Sequence, residues 1–133
     1  MDNSLGHLVE KGFANAKTYD TYRPYYPADS VNRMLEKLKI IDVAEARVVD
    51  IGAGTGKLTE QLVNHDRSYE IIAVEPHTHM RQILEGKAFK GVKILNGTAS
   101  NLEGIEDDWA DAVVVAQVHC EVLALSVGDT DPP

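Results

Sequence analysis

The chain has 133 residues, a formal charge of −8, 44% hydrophobic residues and a single cysteine. This length fits one domain of roughly 100–150 residues, and the composition excludes a wholly disordered chain and a disulfide-stabilised scaffold. An acidic protein repels phosphate backbones, so we do not expect a nucleic-acid partner. The longest apolar run, Ala112–Ala116, is far shorter than the roughly 20 residues of a membrane span, so we expect no membrane segment. The first residues lack a signal-peptide pattern, so we expect a cytoplasmic protein.

The beginning of the chain is unusually rich in tyrosine. Residues 1–27 form a polar lead that contains several tyrosines and ends at Pro24 and Pro27. We divide the chain into this tyrosine-rich N-terminal lead, a main domain over residues 28–120, and an atypical C-terminal tail over residues 121–133, in which turn-forming residues follow one another.

A helix is predicted directly after Pro27. Asp29 or Ser30 can cap its amino end. Four apolar residues then follow at the spacing of one helix face, which indicates a helix packed on a core: Val31, Met34, Leu35 and Leu38.

Short apolar runs alternate with helical patterns through the rest of the main domain. Helices are predicted over Lys57–Asn64 and around Met80–Leu84, the second closed by Gly86. Strands separated by helices indicate βαβ units, and continuous apolar runs indicate strands covered on both faces. The sequence therefore predicts an α/β fold with a parallel sheet, whose strands are Arg47–Ile51, Tyr69–Val74, Val92–Leu95 and Asp111–Ala116.

A glycine-rich loop follows the first predicted strand, where parallel sheets bind ligands. A Walker A loop would need a glycine at Ile51 and a serine or threonine at Leu58, so this reading fails. A dinucleotide loop would need its third glycine at Lys57, so the spacing disfavours this reading as well.

The remaining pattern, Asp-x-Gly-x-Gly-x-Gly from Asp50 to Gly56, resembles the first motif of class I S-adenosylmethionine-dependent methyltransferases. The lead Tyr19-Asp20-x-Tyr22-Arg23-Pro24-x-Tyr26-Pro27 is similar to that of small-molecule methyltransferases related to trans-aconitate methyltransferase, including fungal biosynthetic members. The resemblance runs from about Phe13 to about His119. It implies a Rossmann-like fold, S-adenosyl-L-methionine as cofactor, and methyl transfer to a small-molecule acceptor of secondary metabolism.

The resemblance also implies a set of cofactor-binding residues. Asp50 would orient the loop and the amino group of the cofactor's methionine part, beneath which Gly52, Gly54 and Gly56 would pass. Glu75 ends the second strand, where a carboxylate can accept hydrogen bonds from both ribose hydroxyls of an adenosine. Because dinucleotide folds place an acid similarly, Glu75 alone does not distinguish S-adenosylmethionine from NAD.

Five further residues complete the expected site. Thr98 and Ala99 match the positions that flank the adenine, and Gln117 matches an Ala-Gln pair after the fourth strand. Tyr19 and Arg23 are expected to contact the ligand, the arginine by pairing with a carboxylate. We assign no catalytic residue, because an activated methyl donor mainly requires alignment. We expect no metal, because the histidines lack ligand spacing.

The family domain has seven strands, and this chain supplies about four of them, so we expect an incomplete Rossmann-like sheet that is truncated at the C-terminus. The expected function is that of a small-molecule methyltransferase, with a non-catalytic cofactor-binding or regulatory partner of a full-length methyltransferase as the alternative. An apolar strand at a sheet edge is a liability. We therefore expect a homo-oligomer or pairing with a related methyltransferase through Asp111–Ala116, unless Glu121–Val127 forms a strand that covers this edge.

Overall fold

The computed structural model describes residues 4–116 and 122–125 as four helices and five strands. No helix in this part of the chain is both long enough and apolar enough to cross a bilayer. The helices are α1 (Ser4–Tyr22), α2 (Ala28–Lys37), α3 (Lys57–Val63) and α4 (Thr78–Gly86). The strands are β1 (Arg47–Ile51), β2 (Glu70–Val74), β3 (Val92–Leu95), β4 (Ala112–Ala116) and β5 (Val122–Leu125).

The strands form one sheet in the order β3-β2-β1-β4-β5. The first four strands are parallel, which confirms the predicted Rossmann-like α/β fold. Strand β1 is central, and its residue Asp50 lies between Ala73 of β2 and Val114 of β4. The chain continues from β1 to β2 on one side and reaches β4 on the other, so the strand order reverses at β1, where open sheets bind ligands.

The fifth strand covers the edge of β4, and association with a second chain stays a prediction. Strand β5 pairs with β4 in the antiparallel direction, with Val113 opposite Leu125 and Ala116 opposite Val122. Because the backbone groups on this side of β4 are hydrogen-bonded within the chain, the predicted association through Asp111–Ala116 is not needed to satisfy them. The alternative, in which the segment around Val122–Leu125 covers the edge, is the one the structure shows.

The main core lies between the sheet and helices α2 and α3. The apolar stripe predicted for α2 is fully buried there, since Val31, Met34, Leu35 and Leu38 all pack in it. The opposite face of the sheet carries Val49, Ile72 and Val74, against which the loop before β4 packs Leu102, Ile105 and Trp109. Both faces of the central strands are therefore covered, which explains their continuous apolar sequence.

In the N-terminal part of the chain, one helix was not predicted and one predicted helix cap is wrong. The lead contains helix α1, which was not predicted. Between Lys11 and Tyr22, Ala16 is the one side chain of this helix that is buried. Helix α2 begins at Ala28 with Pro27 as its N-cap and has no side-chain cap bond, so neither Asp29 nor Ser30 caps it.

Candidate functional site

A cavity of about 270 Å³ opens at the carboxyl ends of β1 and β2. Its walls include five residues that the sequence predicted for the site: Tyr19, Arg23, Gly52, Gly54 and Glu75. The fold therefore brings together the end of α1, the glycine loop and the residue after β2, which are distant in sequence. The six other lining residues were not predicted for the site, although three of them lie within the two motifs: Tyr26, Ala53, Thr55, Lys57, Leu58 and Met80.

Glu75 is the nearly buried acid of this cavity, with 6% of its surface exposed. Its Oε1 accepts a hydrogen bond from the backbone amide of Gly54 at 2.8 Å, and its Oε2 accepts one from the amide of His77 at 2.8 Å. Each carboxylate oxygen can accept a second hydrogen bond. The carboxylate is therefore fixed by the protein and can still receive the two hydroxyls of a ribose.

Gly52 and Gly56 have different roles in the loop. Gly52 has a φ of +69°, and a Cβ added there would meet no atom within 4 Å, so the loop is open to a ligand at this point. Gly56 has a φ of +93°, and a Cβ there would overlap Cδ1 of Leu84. Gly56 does not line the cavity, so its observed role is to let α3 start close to α4.

Asp50 is completely buried beneath the loop and does not line the cavity. Its Oδ2 accepts a 2.6 Å hydrogen bond from the Thr59 hydroxyl, and its Oδ1 has no partner among the described residues. Burial raises the pKa of Asp50 to about 7; the Thr59 hydrogen bond opposes this rise, and the nearby Glu75 charge adds to it. Asp50 thus connects β1 to α3, and its predicted contact with the cofactor's amino group stays a prediction.

The end of helix α1 and the segment after it form another wall of the cavity, through Tyr19, Arg23 and Tyr26. The Arg23 guanidinium lies 5.9 Å from the centre of the Tyr19 ring. Tyr26 is held against α3, because its amide donates to Oε1 of Gln61 and its carbonyl accepts from Nε2 of the same residue. Tyr19, Arg23 and Tyr26 therefore line the cavity together with the glycine loop, and the predicted contact of Tyr19 and Arg23 with the ligand stays a prediction.

The remaining predicted residues lie elsewhere. Thr98 and Ala99 are exposed in the loop after β3, which is closed by paired hydrogen bonds between the backbones of Thr98 and Asn101. They do not line the cavity, so their contact with adenine stays a prediction. Gln117 lies outside the described residues.

A larger cavity of about 630 Å³ lies at the opposite end of the sheet. It is lined by residues that include Arg47, Glu70 and Trp109, with the Arg47 guanidinium paired to Glu70 at 3.5 Å and 5.7 Å from the Trp109 ring. We place the functional site at the smaller cavity, because ligands of open parallel sheets bind at the carboxyl ends of the strands and the glycine loop is there. Among the described residues, no group of three histidine, cysteine, aspartate or glutamate side chains could hold a metal ion.

Comparison with known proteins gives the family. The family described as "Methyltransferase domain" matches residues 49–128, which is more than half of the chain. The chain belongs to this methyltransferase family. With its Rossmann-like fold, it is a class I S-adenosylmethionine-dependent methyltransferase domain, as the motif from Asp50 to Gly56 predicted.

The methyltransferase domain has relatives in bacteria and yeast. An uncharacterized methyltransferase of Mycobacterium tuberculosis is 38% identical over 99 residues, which cover 74% of this chain and 37% of the relative. A Saccharomyces cerevisiae protein, named as a probable S-adenosylmethionine-dependent methyltransferase, is 31% identical over 114 residues, covering 82% of this chain and 37% of that protein. The methyltransferase domain thus spans little more than a third of the length of these curated relatives.

The fold has solved counterparts. The CcbJ methyltransferase of Streptomyces caelestis matches with a TM-score of 0.59 and 24% identity, over 77% of this chain and 41% of CcbJ. At this identity the match shows the fold alone. It agrees with the parallel sheet and flanking helices described above.

Proposed function

We propose that the chain binds S-adenosylmethionine in the glycine-loop cavity and transfers its methyl group to a small-molecule acceptor. The observation that carries this proposal is the arrangement of Glu75, whose carboxylate is fixed by the amides of Gly54 and His77 at the edge of the cavity. A fixed, nearly buried carboxylate beside an open glycine loop suits a ligand that has a ribose and an extended chain.

The residues present fit the two ends of this cofactor. Glu75 would accept hydrogen bonds from the ribose hydroxyls, and the main chain at Gly52 and Gly54 would lie along the methionine part. Tyr19 and Arg23 would close the cavity from the end of α1, and the Arg23 guanidinium would contact a carboxylate of the ligand. Asp50 would act from below the loop, while Thr98, Ala99 and Gln117 would meet the adenine or the reaction centre from the next two strand ends.

The protein's task in such a reaction is positioning. Bound S-adenosylmethionine supplies a methyl group that is already activated by its sulfonium centre. The residues of the chain then need to hold the cofactor, align an acceptor in line with the methyl group and exclude water. The tyrosine-rich segment from Tyr19 to Tyr26 lies at the cavity and would form part of the acceptor side.

A biosynthetic acceptor and a cytoplasmic setting are the finer parts of the proposal. They are supported by the resemblance of the lead to small-molecule methyltransferases of fungal secondary metabolism. The second candidate function is that of a non-catalytic partner that binds cofactor and regulates a related methyltransferase.

Two measurements test the proposal. Isothermal titration with S-adenosylmethionine, S-adenosylhomocysteine and NAD should show binding of the first two and none of NAD, and binding of NAD alone would refute it. A methyl-transfer assay against a metabolite library should yield a methylated product. Cofactor binding without any product, together with co-purification of a related methyltransferase, would favour the regulatory alternative.

A further inference from the structure

The formal charges of the residues that line the glycine-loop cavity do not sum to zero. Three of its lining residues carry a formal charge, and two of these, Arg23 and Lys57, are cations, while Glu75 is the anion. Glu75 already receives two backbone amides, so its charge is partly compensated by the protein. The cationic side of the cavity is therefore suited to an anionic group of a ligand.

Lys57 is the first residue of α3 and is largely buried, with 14% of its side chain exposed. Its ammonium lies 3.8 Å from Oδ1 of Asp20, which is longer than a hydrogen bond. It also lies 4.2 Å from the centre of the Tyr25 ring, which covers it by a cation–π contact. The side chain is thus held at the cavity rather than extended into solvent.

The carboxylate beside Lys57 is already in use. The same Oδ1 of Asp20 accepts a 2.8 Å hydrogen bond from the ammonium of Lys87, which follows α4. Burial alone would raise the pKa of Asp20, but hydrogen bonds from Lys87 and Thr55 and the charges of the two lysines lower it. One carboxylate therefore serves two ammonium groups, and the formal charge of the cluster is one unit positive.

A buried charge without a full partner is costly, and a ligand group of opposite sign relieves that cost. Lys87 has the short bond to Asp20 and does not line the cavity, whereas Lys57 has the long contact and lines it. The uncompensated charge is thus on the cavity side of the cluster. Resting on the proposed function, we propose that Lys57 binds the carboxylate of the cofactor's methionine part, and that Asp20 positions Lys57 for this contact.

The proposal predicts discrimination between two ligands that differ only in that carboxylate. Isothermal titration of the whole chain with S-adenosylmethionine and with decarboxylated S-adenosylmethionine should show a preference of at least about tenfold for the former. Lys57→Met should remove most of this preference by weakening S-adenosylmethionine binding alone. Lys57→Arg, which keeps the charge, should retain part of it.

Two further variants make the outcome specific. Lys37→Met removes the same charge from an exposed lysine of α2 and should leave the preference unchanged. Glu75→Ala should weaken both ligands equally, because both carry the ribose. Circular dichroism of each variant establishes that it is folded. Lys57→Gln, which also removes the charge, replaces Lys57→Met if that variant does not fold.

Several results would overturn the inference. A wild-type chain that binds the two ligands equally does not contact the carboxylate. A folded Lys57→Met variant that keeps the full preference does not bind the carboxylate through Lys57. With either result, weaker binding of both ligands by Glu75→Ala would still support the proposed function. A wild-type chain that binds neither ligand would refute both the proposed function and the inference.

Discussion

The backbone amide of Gly54 donates a 2.8 Å hydrogen bond to Oε1 of Glu75, so the glycine loop after β1 is tied to the residue that follows β2. The other carboxylate oxygen accepts the amide of His77, the N-cap residue of α4. A single side chain therefore fixes the loop, orients the start of a helix and presents its remaining acceptor sites to the cavity. Loop geometry and ligand recognition depend on the same residue.

Glu75→Ala should weaken the binding of S-adenosylmethionine by about 1.5–3 kcal/mol, the range for hydrogen bonds to a charged group. Isothermal titration measures the change. Glu36→Ala, at an exposed carboxylate of α2, is the matched control and should bind as the wild-type chain does. Unchanged affinity in a folded Glu75→Ala variant would show that the ribose is not held there.

Asp50 should make the free energy of unfolding depend on pH. Its pKa is raised from 3.8 to about 7 in the folded chain, so the folded state keeps a proton that the unfolded state releases. Stability is then lost as the pH rises from about 4 to about 7, by at most about 4 kcal/mol for this group. In urea unfolding, Asp50→Asn should remove this loss, because the amide stays neutral and its oxygen can still accept from Thr59.

The control for this pH dependence is Asp66→Asn, which changes an exposed carboxylate. It should leave the wild-type profile between pH 4 and pH 7 intact. If the profiles of Asp50→Asn and the wild-type chain run parallel over this range, the carboxyl group of Asp50 does not change its protonation on folding.

Gly56→Ala should destabilise the fold by about 2–4 kcal/mol, because the φ of +93° is strained for alanine and the added methyl overlaps Leu84. Gly86→Ala is the matched control, since it lies in α4 and a Cβ there meets nothing within 4 Å. It should be neutral or stabilising by up to about 1 kcal/mol. Thermal unfolding compares the two, and equal melting temperatures would contradict the packing role assigned to Gly56.

Removal of β5 should expose the edge of β4. Deletion of residues 121–133 leaves the outer backbone groups of β4 unpaired, so we expect self-association or loss of folding. Deletion of residues 127–133 keeps β5 and should behave as the whole chain does. Light scattering measures self-association, and circular dichroism measures loss of folding. If the chain that lacks residues 121–133 is a folded monomer, β5 does not protect this edge.

Local sequence was sufficient for the sheet and for the main elements of the site. β1 and β3 have the predicted bounds, and β2 and β4 differ from theirs by one residue, because uninterrupted β-branched runs have few alternatives in a buried parallel sheet. The glycine loop directly follows β1, and Glu75 directly follows β2. Because the carboxyl ends of these parallel strands lie at the same edge of the sheet, the two motifs were sufficient to locate the cavity.

Contacts between distant segments decided the rest. Between Lys11 and Tyr22, helix α1 buries only Ala16, so the position of this part of the helix depends on partners such as Lys87, which bonds Asp20 from 67 residues away. The same kind of long-range packing buries Asp50 below the loop and uses Gly56 to accommodate Leu84. A motif gives the order of residue types along the chain. Burial, shared ion pairs and the space beside a glycine depend instead on the distant segments that pack against the motif, so they are determined only by the tertiary structure.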